Sequence, residues 1–537
     1  MTTTSRSIES ATNNLTLSDS RRVDTRDAPV TSRFCDIALA AILFVALSLW
    51  LVWAPNKALW NDEFLSLYTG AAPDAASVVH IQQHYPVSLD PPGYHVITHL
   101  FISLLGPTAF AVRLPSLLGW LTMLVCFFVF CRRLVGPEFA IFSTALTLPT
   151  AAFNYAAEAR PYGLLLGLAA IALLCWQSAV RDRESRLAPV GLALALWTAL
   201  LSHYLAILLL IPFAVAELVR MLRTRSIDWR IGAALGSTAV PIAMWLPFLP
   251  AASSYRTQYY SKTHLSQLVD IYAQLMAPRV ARFHPFIAAL VVTGMVLGLI
   301  ALIRKYGARN LRTEWLVVVS FALLPLFGIA VSSAATGGFE SRYVVAAVLG
   351  IVPLCAMSVW PLLVHRPIFL IALLLVILAA CGVASTYASR DSWRLRSLRD
   401  ARLILASNST EDISRLQLVV SNLHVFMQLQ YYAKLDHDVV YVADPNLENK
   451  WVGNDTLDRT AINLRKFAPI RAMDFCQFIS SHRRFLLTDQ PGSEEWLPKQ
   501  LLVDGSHVTT IGRLGSARLE SVTVSDTAVH LACNPRQ

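Results

Sequence analysis

Apolar runs of roughly twenty residues, separated by short basic stretches, fill the chain from about position 34 to about 388 and then give way to mixed polar sequence. A transmembrane helix needs about 20 mostly apolar residues, and about eleven stretches qualify, near 34–54, 111–131, 138–156, 161–180, 187–202, 204–219, 230–251, 284–303, 315–334, 342–364 and 367–387. The boundary at Ser202-His203-Tyr204 is the least marked. Within the polar stretch 56–110, Tyr94–Leu105 has apolar residues at helical spacing but is too short to span, which predicts an amphipathic helix in the membrane interface. Beyond 388, the short runs 417–421, 439–443, 484–488 and 517–525 read as strands, with a helix over 422–434 between the first two. Residues 1–33 lack periodicity and read as a disordered cytoplasmic tail, and the apolar run after them reads as an uncleaved anchor. The pattern predicts a polytopic α-helical membrane domain over 34–388, with a large outer loop at 56–110, and a small extracytoplasmic α/β domain over 389–537.

Composition agrees: 55% of the 537 residues are hydrophobic, and the mean hydropathy is +0.50, too apolar for a soluble protein. The net charge of +10 does not point to nucleic acid, because Lys and Arg are strung between apolar runs and form no basic domain. They follow the positive-inside rule. A cytoplasmic N-terminus puts Arg21, Arg22, Arg26, Arg33, Arg132-Arg133, Arg181, Arg183, Arg186, Arg220, Arg223, Arg225, Arg304-Lys305, Arg309, Arg312 and Arg366 on the inner side. The opposite side then receives 56–110, the Glu158–Pro161 corner, Ser202-His203-Tyr204, 253–283, the Gly337–Arg342 corner and the C-terminal domain. That placement predicts a cytoplasmic (inner) membrane protein of a bacterium with its polar constellations facing outward. Six of the eight cysteines lie in or beside apolar runs; Cys476 and Cys533 lie in the outer domain, where an oxidising compartment would allow a disulfide.

The candidate chemistry starts at Asp62-Glu63, an acidic pair just after the first apolar run, since carboxylates beside a bilayer are costly unless they serve a function. The competing reading is a helix N-terminal cap. Farther along stand Ser88-Leu89-Asp90-Pro91-Pro92-Gly93-Tyr94-His95, Arg113-Leu114-Pro115-Ser116, Asn154-Tyr155-Ala156-Ala157-Glu158-Ala159-Arg160-Pro161-Tyr162, Ser202-His203-Tyr204 and Glu340-Ser341-Arg342-Tyr343. Arg160 reads as a phosphate or sugar contact, or else as a salt-bridge partner of Glu158 or a snorkelling anchor. Arg342 faces the same choice. Arg256, with Tyr259 and Tyr260, reads as a clamp on phosphate or as an interfacial anchor. His203 reads as a packing residue or a ligand. The triplet Asp436-His437-Asp438 lies in a hydrophilic turn and reads as solvated surface.

In order and membrane placement these motifs resemble the polyprenyl-phosphate-dependent glycosyltransferases of the GT-C fold, over about residues 34–390. That superfamily contains the dolichyl-phosphate-mannose protein mannosyltransferases and the bacterial aminoarabinose transferases that modify lipid A. The resemblance implies a membrane glycosyltransferase that takes a sugar from a polyprenyl-phosphate donor and transfers it to an extracytoplasmic acceptor, a glycolipid, glycan or protein, with inversion. It implies Asp62 as general base and Glu63 as a group that positions the acceptor or holds Asp62. Arg160, Arg256, Arg342, Tyr162, Tyr343 and His203 would serve donor phosphate or sugar, and Asp90, Tyr94 and His95 would line the loop.

One residue departs from the pattern. Many relatives carry a basic residue or His directly before the Pro-Pro, where this chain has Asp90. A divalent metal held by His80, His84 and Asp90, or with His95, is left open, but nothing fixes three ligands. The rival readings are a transporter or flippase of lipid-linked sugars and a surface-polysaccharide polymerase; a transporter would place charges near the bilayer midplane and show two similar halves.

Overall fold

The computed structural model describes residues 28–253, 264–278, 283–307, 309–335, 338–364, 367–399, 416–433, 439–489, 495–514 and 517–533. The helices of the first part are α1 (Ala28–Trp53), α2 (Asn61–Gly70), α3 (Ala75–His84), α4 (Gly93–Leu105), α5 (Ala109–Leu134), α6 (Pro137–Leu146), α7 (Ala151–Ala156), α8 (Pro161–Arg181), α9 (Leu187–Ser202) and α10 (Leu210–Thr224), the last entered through a 3-10 turn at Tyr204–Leu209. They continue with α11 (Trp229–Gly236), α12 (Ala239–Ala243), α13 (Leu249–Ser253), α14 (Gln267–Met276), α15 (His284–Tyr306), α16 (Thr313–Ala322), α17 (Leu324–Ala335), α18 (Val348–Leu363) and α19 (Pro367–Arg399).

Among the described residues, seven helices are long and apolar enough to cross a membrane, and the pair α16–α17, bent by 54°, would make an eighth. The other three apolar stretches, 138–156, 187–202 and 230–251, are short or broken. Pro149 follows the end of α6 and a turn over 147–149 separates it from α7, α9 has 16 residues, and Pro241 and Pro247 lie in the segmented run α11–α13. Hydropathy sees apolar content, whereas spanning also needs uninterrupted length.

One close crossing joins α5 and α8. A side chain on Gly119 would strike the carbonyl of Gly163, one on Gly163 would come within 2.6 Å of the Ser116 carbonyl oxygen, and one on Gly167 would strike the Gly119 carbonyl. Small residues on both faces let the backbones touch, as membrane helices require when no water drives them together. The C-terminal ends of these helices carry Arg132, Arg133 and Arg181. There Arg133 donates to Ser178 (2.7 Å), Arg181 to the Arg133 carbonyl (2.7 Å) and Arg312 to the Leu134 carbonyl (3.1 Å). The basic loops thus gather at one end of the bundle, the length of α5 away from the acidic pair.

At the other end sits a six-stranded sheet in the order β3-β2-β1-β4-β6-β5. Its strands are β1 (Leu418–Val420), β2 (Val439–Ala443), β3 (Ala472–Asp474), β4 (Arg484–Asp489), β5 (His507–Leu514) and β6 (Ala517–Thr523); β1, β2, β3 and β4 run parallel, and β6 is antiparallel to β4 and β5. The predicted helix after β1 is present as Leu423–Gln428, continued by a π turn at Leu429–Ala433. Cys476 and Cys533 form a disulfide. Asp436-His437-Asp438 lies outside the described residues. The domain grips the segments that lead into α2 and α4: Gln428 Nε2 donates to the Leu59 carbonyl (2.7 Å), the Leu59 N–H donates to the Tyr432 hydroxyl (2.9 Å), and Asn463 Nδ2 donates to the Pro86 carbonyl (3.0 Å).

Since the crossing has no room for a side chain, Gly119→Val is expected to separate α5 from α8 and destabilise the protein by about 1–3 kcal/mol or more. Thermal unfolding in detergent measures it; an unchanged midpoint would show that the bundle absorbs the extra volume.

Candidate active site

Asn61 opens α2 after an extended Trp60, so Asp62 and Glu63 both lie in its first turn, where negative charge suits the helix dipole. The two neighbours then part company. Glu63 is fully buried, and every hydrogen bond it makes is structural. Its Oε1 accepts from Arg113 Nε (2.7 Å) and the Ala159 N–H (2.9 Å), and its Oε2 accepts from Arg113 Nη2 (2.9 Å) and the Trp60 N–H (3.2 Å). Arg113 spends its remaining donors on the carbonyls of Ala54 (2.9 Å), Lys57 (3.0 Å) and Ala58 (3.4 Å). Burial alone would raise the Glu63 carboxyl, but Arg113 and Lys57 outweigh it and hold the group below the usual carboxylate value.

Asp62 instead points into a partly open space, its side chain 19% exposed, with Oδ2 lying 3.7 Å from Arg160 Nε and 3.7 Å from Arg342 Nη1. Arg160 precedes Pro161, the first residue of α8, and Ser116 Oγ holds its carbonyl (2.7 Å). Its guanidinium donates through Nη1 to Ser88 Oγ (3.1 Å) and lies 3.3 Å through Nη2 from Asp90 Oδ2. Glu158 pairs with Lys57 (3.2 Å), whereas Arg160 lies beside Asp62 and Asp90. Arg342 starts the 3-10 turn Ser341–Ala347, and Ser341 Oγ bonds to Gln274 (2.6 Å).

Asp90 is buried and accepts from Ser88 Oγ (2.6 Å), with His203 Nε2 3.4 Å away. Burial would raise its carboxyl, yet Arg160 and the Ser88 hydrogen bond leave it low. Burial pushes His203 and His95 down to about 4, so both rings are neutral near pH 7. His95 is completely buried, and among the described residues neither ring nitrogen has a hydrogen-bond partner. Tyr162, His203 and Tyr343 form an aromatic wall, with His203 5.6 Å from Tyr162 and 5.3 Å from Tyr343 between ring centres. Tyr94 packs edge-on to His95 at 5.7 Å. Beside Tyr343 an apolar crevice is lined by Leu165, Leu205, Leu208, Leu324 and Val344.

Residues 90–250 match the family model described as dolichyl-phosphate-mannose-protein mannosyltransferase. Among solved structures, ArnT from Cupriavidus metallidurans in the apo state superposes with a TM-score of 0.57 at 14% identity, covering 92% of this chain and 98% of that one. The protein has the fold of ArnT. Looser matches are ArnT bound to undecaprenyl phosphate (TM-score 0.46, 16% identity, 91% and 98% covered) and the oligosaccharyltransferase AglB from Archaeoglobus fulgidus with an inhibitory peptide and a dolichol-phosphate (0.44, 11%, 85% and 69%). No curated protein matches the chain.

On this frame the structure brings together Asp62, Glu63, Asp90, Tyr94, His95, Arg160, Tyr162, His203, Arg342 and Tyr343. Arg256 lies outside the described residues. His80 and His84 stack on each other at 4.2 Å on the exposed face of α3, and among the described residues no three ligating side chains group to hold a metal. Lys57 was not singled out from the sequence, and Ser88 and Ser116 stood there only within motifs. Arg113 stood there only as part of a motif, although a charge inside an apolar helix was the available signal.

Removing one partner of a buried, bidentate pair leaves an uncompensated charge, so Glu63→Ala is expected to cost about 3–5 kcal/mol. The sign for pH follows from the depressed Glu63 carboxyl. Its contribution is present above the unfolded value of 4.5 and is lost as pH falls through the folded value. Melting curves of parent and variant between pH 7 and pH 3 should therefore converge towards the acid end; parallel curves would detach Glu63 from acid unfolding.

Proposed function

We propose that this GT-C protein transfers a sugar from a polyprenyl monophosphate carrier to an acceptor on the extracytoplasmic side of a bacterial cytoplasmic membrane, with Asp62 as general base. The observation that carries the reading is the division of labour in the acidic pair: Glu63 is consumed by Arg113, while Asp62 keeps a partly exposed carboxylate between two guanidinium groups. In one in-line step Asp62 takes the proton of the acceptor nucleophile, which bonds to the anomeric carbon as the carbon–oxygen bond to phosphate breaks. The electron pair leaves with the polyprenyl phosphate. Arg160 and Arg342 are placed to receive the charge growing on that phosphate, and the sugar carbon inverts. Arg256 belongs to the same proposal as a phosphate clamp. A transporter would need charge along a path through the bundle, whereas these groups crowd one rim.

The orientation rests on two supports. The basic ends of α5 and α8 gather at the end of the bundle away from Asp62, as the positive-inside rule asks of cytoplasmic loops. The Cys476–Cys533 disulfide on the site's own side suits an oxidising compartment.

Loss of a general base typically costs about 10²–10⁴-fold. Single-turnover transfer from a synthetic polyprenyl-phosphate sugar should slow by at least about 100-fold in Asp62→Asn, with donor affinity within a few-fold of the parent. Transfer at the parent rate would remove Asp62 as the base.

A further inference from the structure

The anion at position 90 has a role that the motif pattern does not supply. Arg160 has three donor faces, and two are occupied: Nη1 by Ser88 Oγ and Nη2 by Asp90, to which Ser88 also donates. The third, Nε, is buried, has no hydrogen-bond partner among the described residues and lies 3.7 Å from Asp62 Oδ2. A guanidinium is a rigid planar fork, so fixing two of its nitrogens fixes the direction of the third. Asp90 is held in turn. The Leu205 N–H donates to His203 Nδ1 (3.1 Å), which leaves the proton of a neutral ring on Nε2, facing Asp90 Oδ1 at 3.4 Å. Gln82 Nε2 donates to the Asp90 carbonyl (2.9 Å), so its backbone is pinned as well.

We infer that Asp90 and His203 are positioning residues that aim the Nε–H of Arg160 at the reacting centre beside Asp62. This deepens the proposed transfer reaction and rests on it. Asp90, with its side chain occupied by Ser88, Arg160 and His203, is neither the base nor a phosphate contact. His203, with both ring nitrogens engaged, donates nothing to the donor sugar. The anion therefore replaces a cation without weakening the site, because its charge is spent within the ion pair and its geometry is spent on aim.

The discriminating variant is Asp90→Asn in the full-length protein in nanodiscs, read as kcat and KM for a synthetic polyprenyl-phosphate sugar and as inhibition by the polyprenyl monophosphate. A purely electrostatic role predicts tighter phosphate binding when the anion is removed. Loss of aim predicts kcat lowered about 10- to 100-fold, with KM and inhibition changed by less than about threefold. A kcat within twofold of the parent, or a loss confined to KM, would overturn the inference. Should Asp90→Asn fail to fold, His203 decides: Gln keeps an N–H for Asp90 and Leu does not, so H203Q should recover most of the kcat that H203L loses. Equal losses in the two would overturn it. The base assignment is read separately. If Asp62→Asn transfers normally while Asp90→Asn loses kcat, the base falls and the aim stands; the opposite pattern does the reverse.

Discussion

The site depends on one interaction, the buried bidentate pair of Glu63 and Arg113. Two charges removed from water are expensive, and the cost is offset only when every lone pair and proton finds a partner. Here they do: the glutamate also takes the N–H groups of Trp60 and Ala159, and the arginine also takes three carbonyls from Ala54 to Ala58. The pair thus ties four pieces of chain that hydropathy alone would leave independent, namely the end of α1, the first turn of α2, the start of α5 and the corner before α8. Asp62 is presented because its neighbour is locked.

The α5–α8 crossing carries that order into the cationic half of the site. Gly119 and Gly163 let the helices touch, which brings Ser116 of α5 to the carbonyl of Arg160 at 2.7 Å. Arg113 and Ser116 are three residues apart on the same face of α5, so one helix face serves both halves: Arg113 fixes Glu63 and Ser116 fixes the backbone of Arg160, the cation that faces Asp62. The outer domain adds a third constraint by holding both backbone groups of Leu59, three residues before Asp62, through Gln428 and Tyr432.

Much of this was legible in the chain, for reasons that can be named. Every apolar stretch is helical, but α11–α13 shows why content is not continuity, since prolines and turns divide a stretch that a hydropathy window averages over. The strands read from sequence were β1, β2, β4 and β6, all with buried hydrophobic positions. The two not read were β3, of three residues, and β5, whose side chains are mostly exposed or half-buried and leave no apolar pattern. In the site, charged residues at helix boundaries were visible one at a time, but partner choice was not. Glu158 and Arg160 are adjacent enough to suggest each other, yet Lys57, about 100 residues away, takes the first, and Asp90 takes the second. Only the fold decides such pairings.

The same distinction explains why the adjacent acids could not be assigned from sequence by physics alone. Both sit in the first turn of α2, both gain from the helix dipole, and as residue types they are nearly interchangeable. Their separation comes from the angle of about 100° between successive helical residues, which turns one carboxylate towards Arg113 and the other towards Arg160 and Arg342. The helix-cap reading is realised on Glu63, which reaches back to the Trp60 N–H, and that bond fixes the turn from which Asp62 projects. A function that needs one carboxylate reactive and close to cations is served by a neighbour that is inert for the same electrostatic reason, since a carboxylate already saturated by an arginine has no lone pair left for a proton in transit.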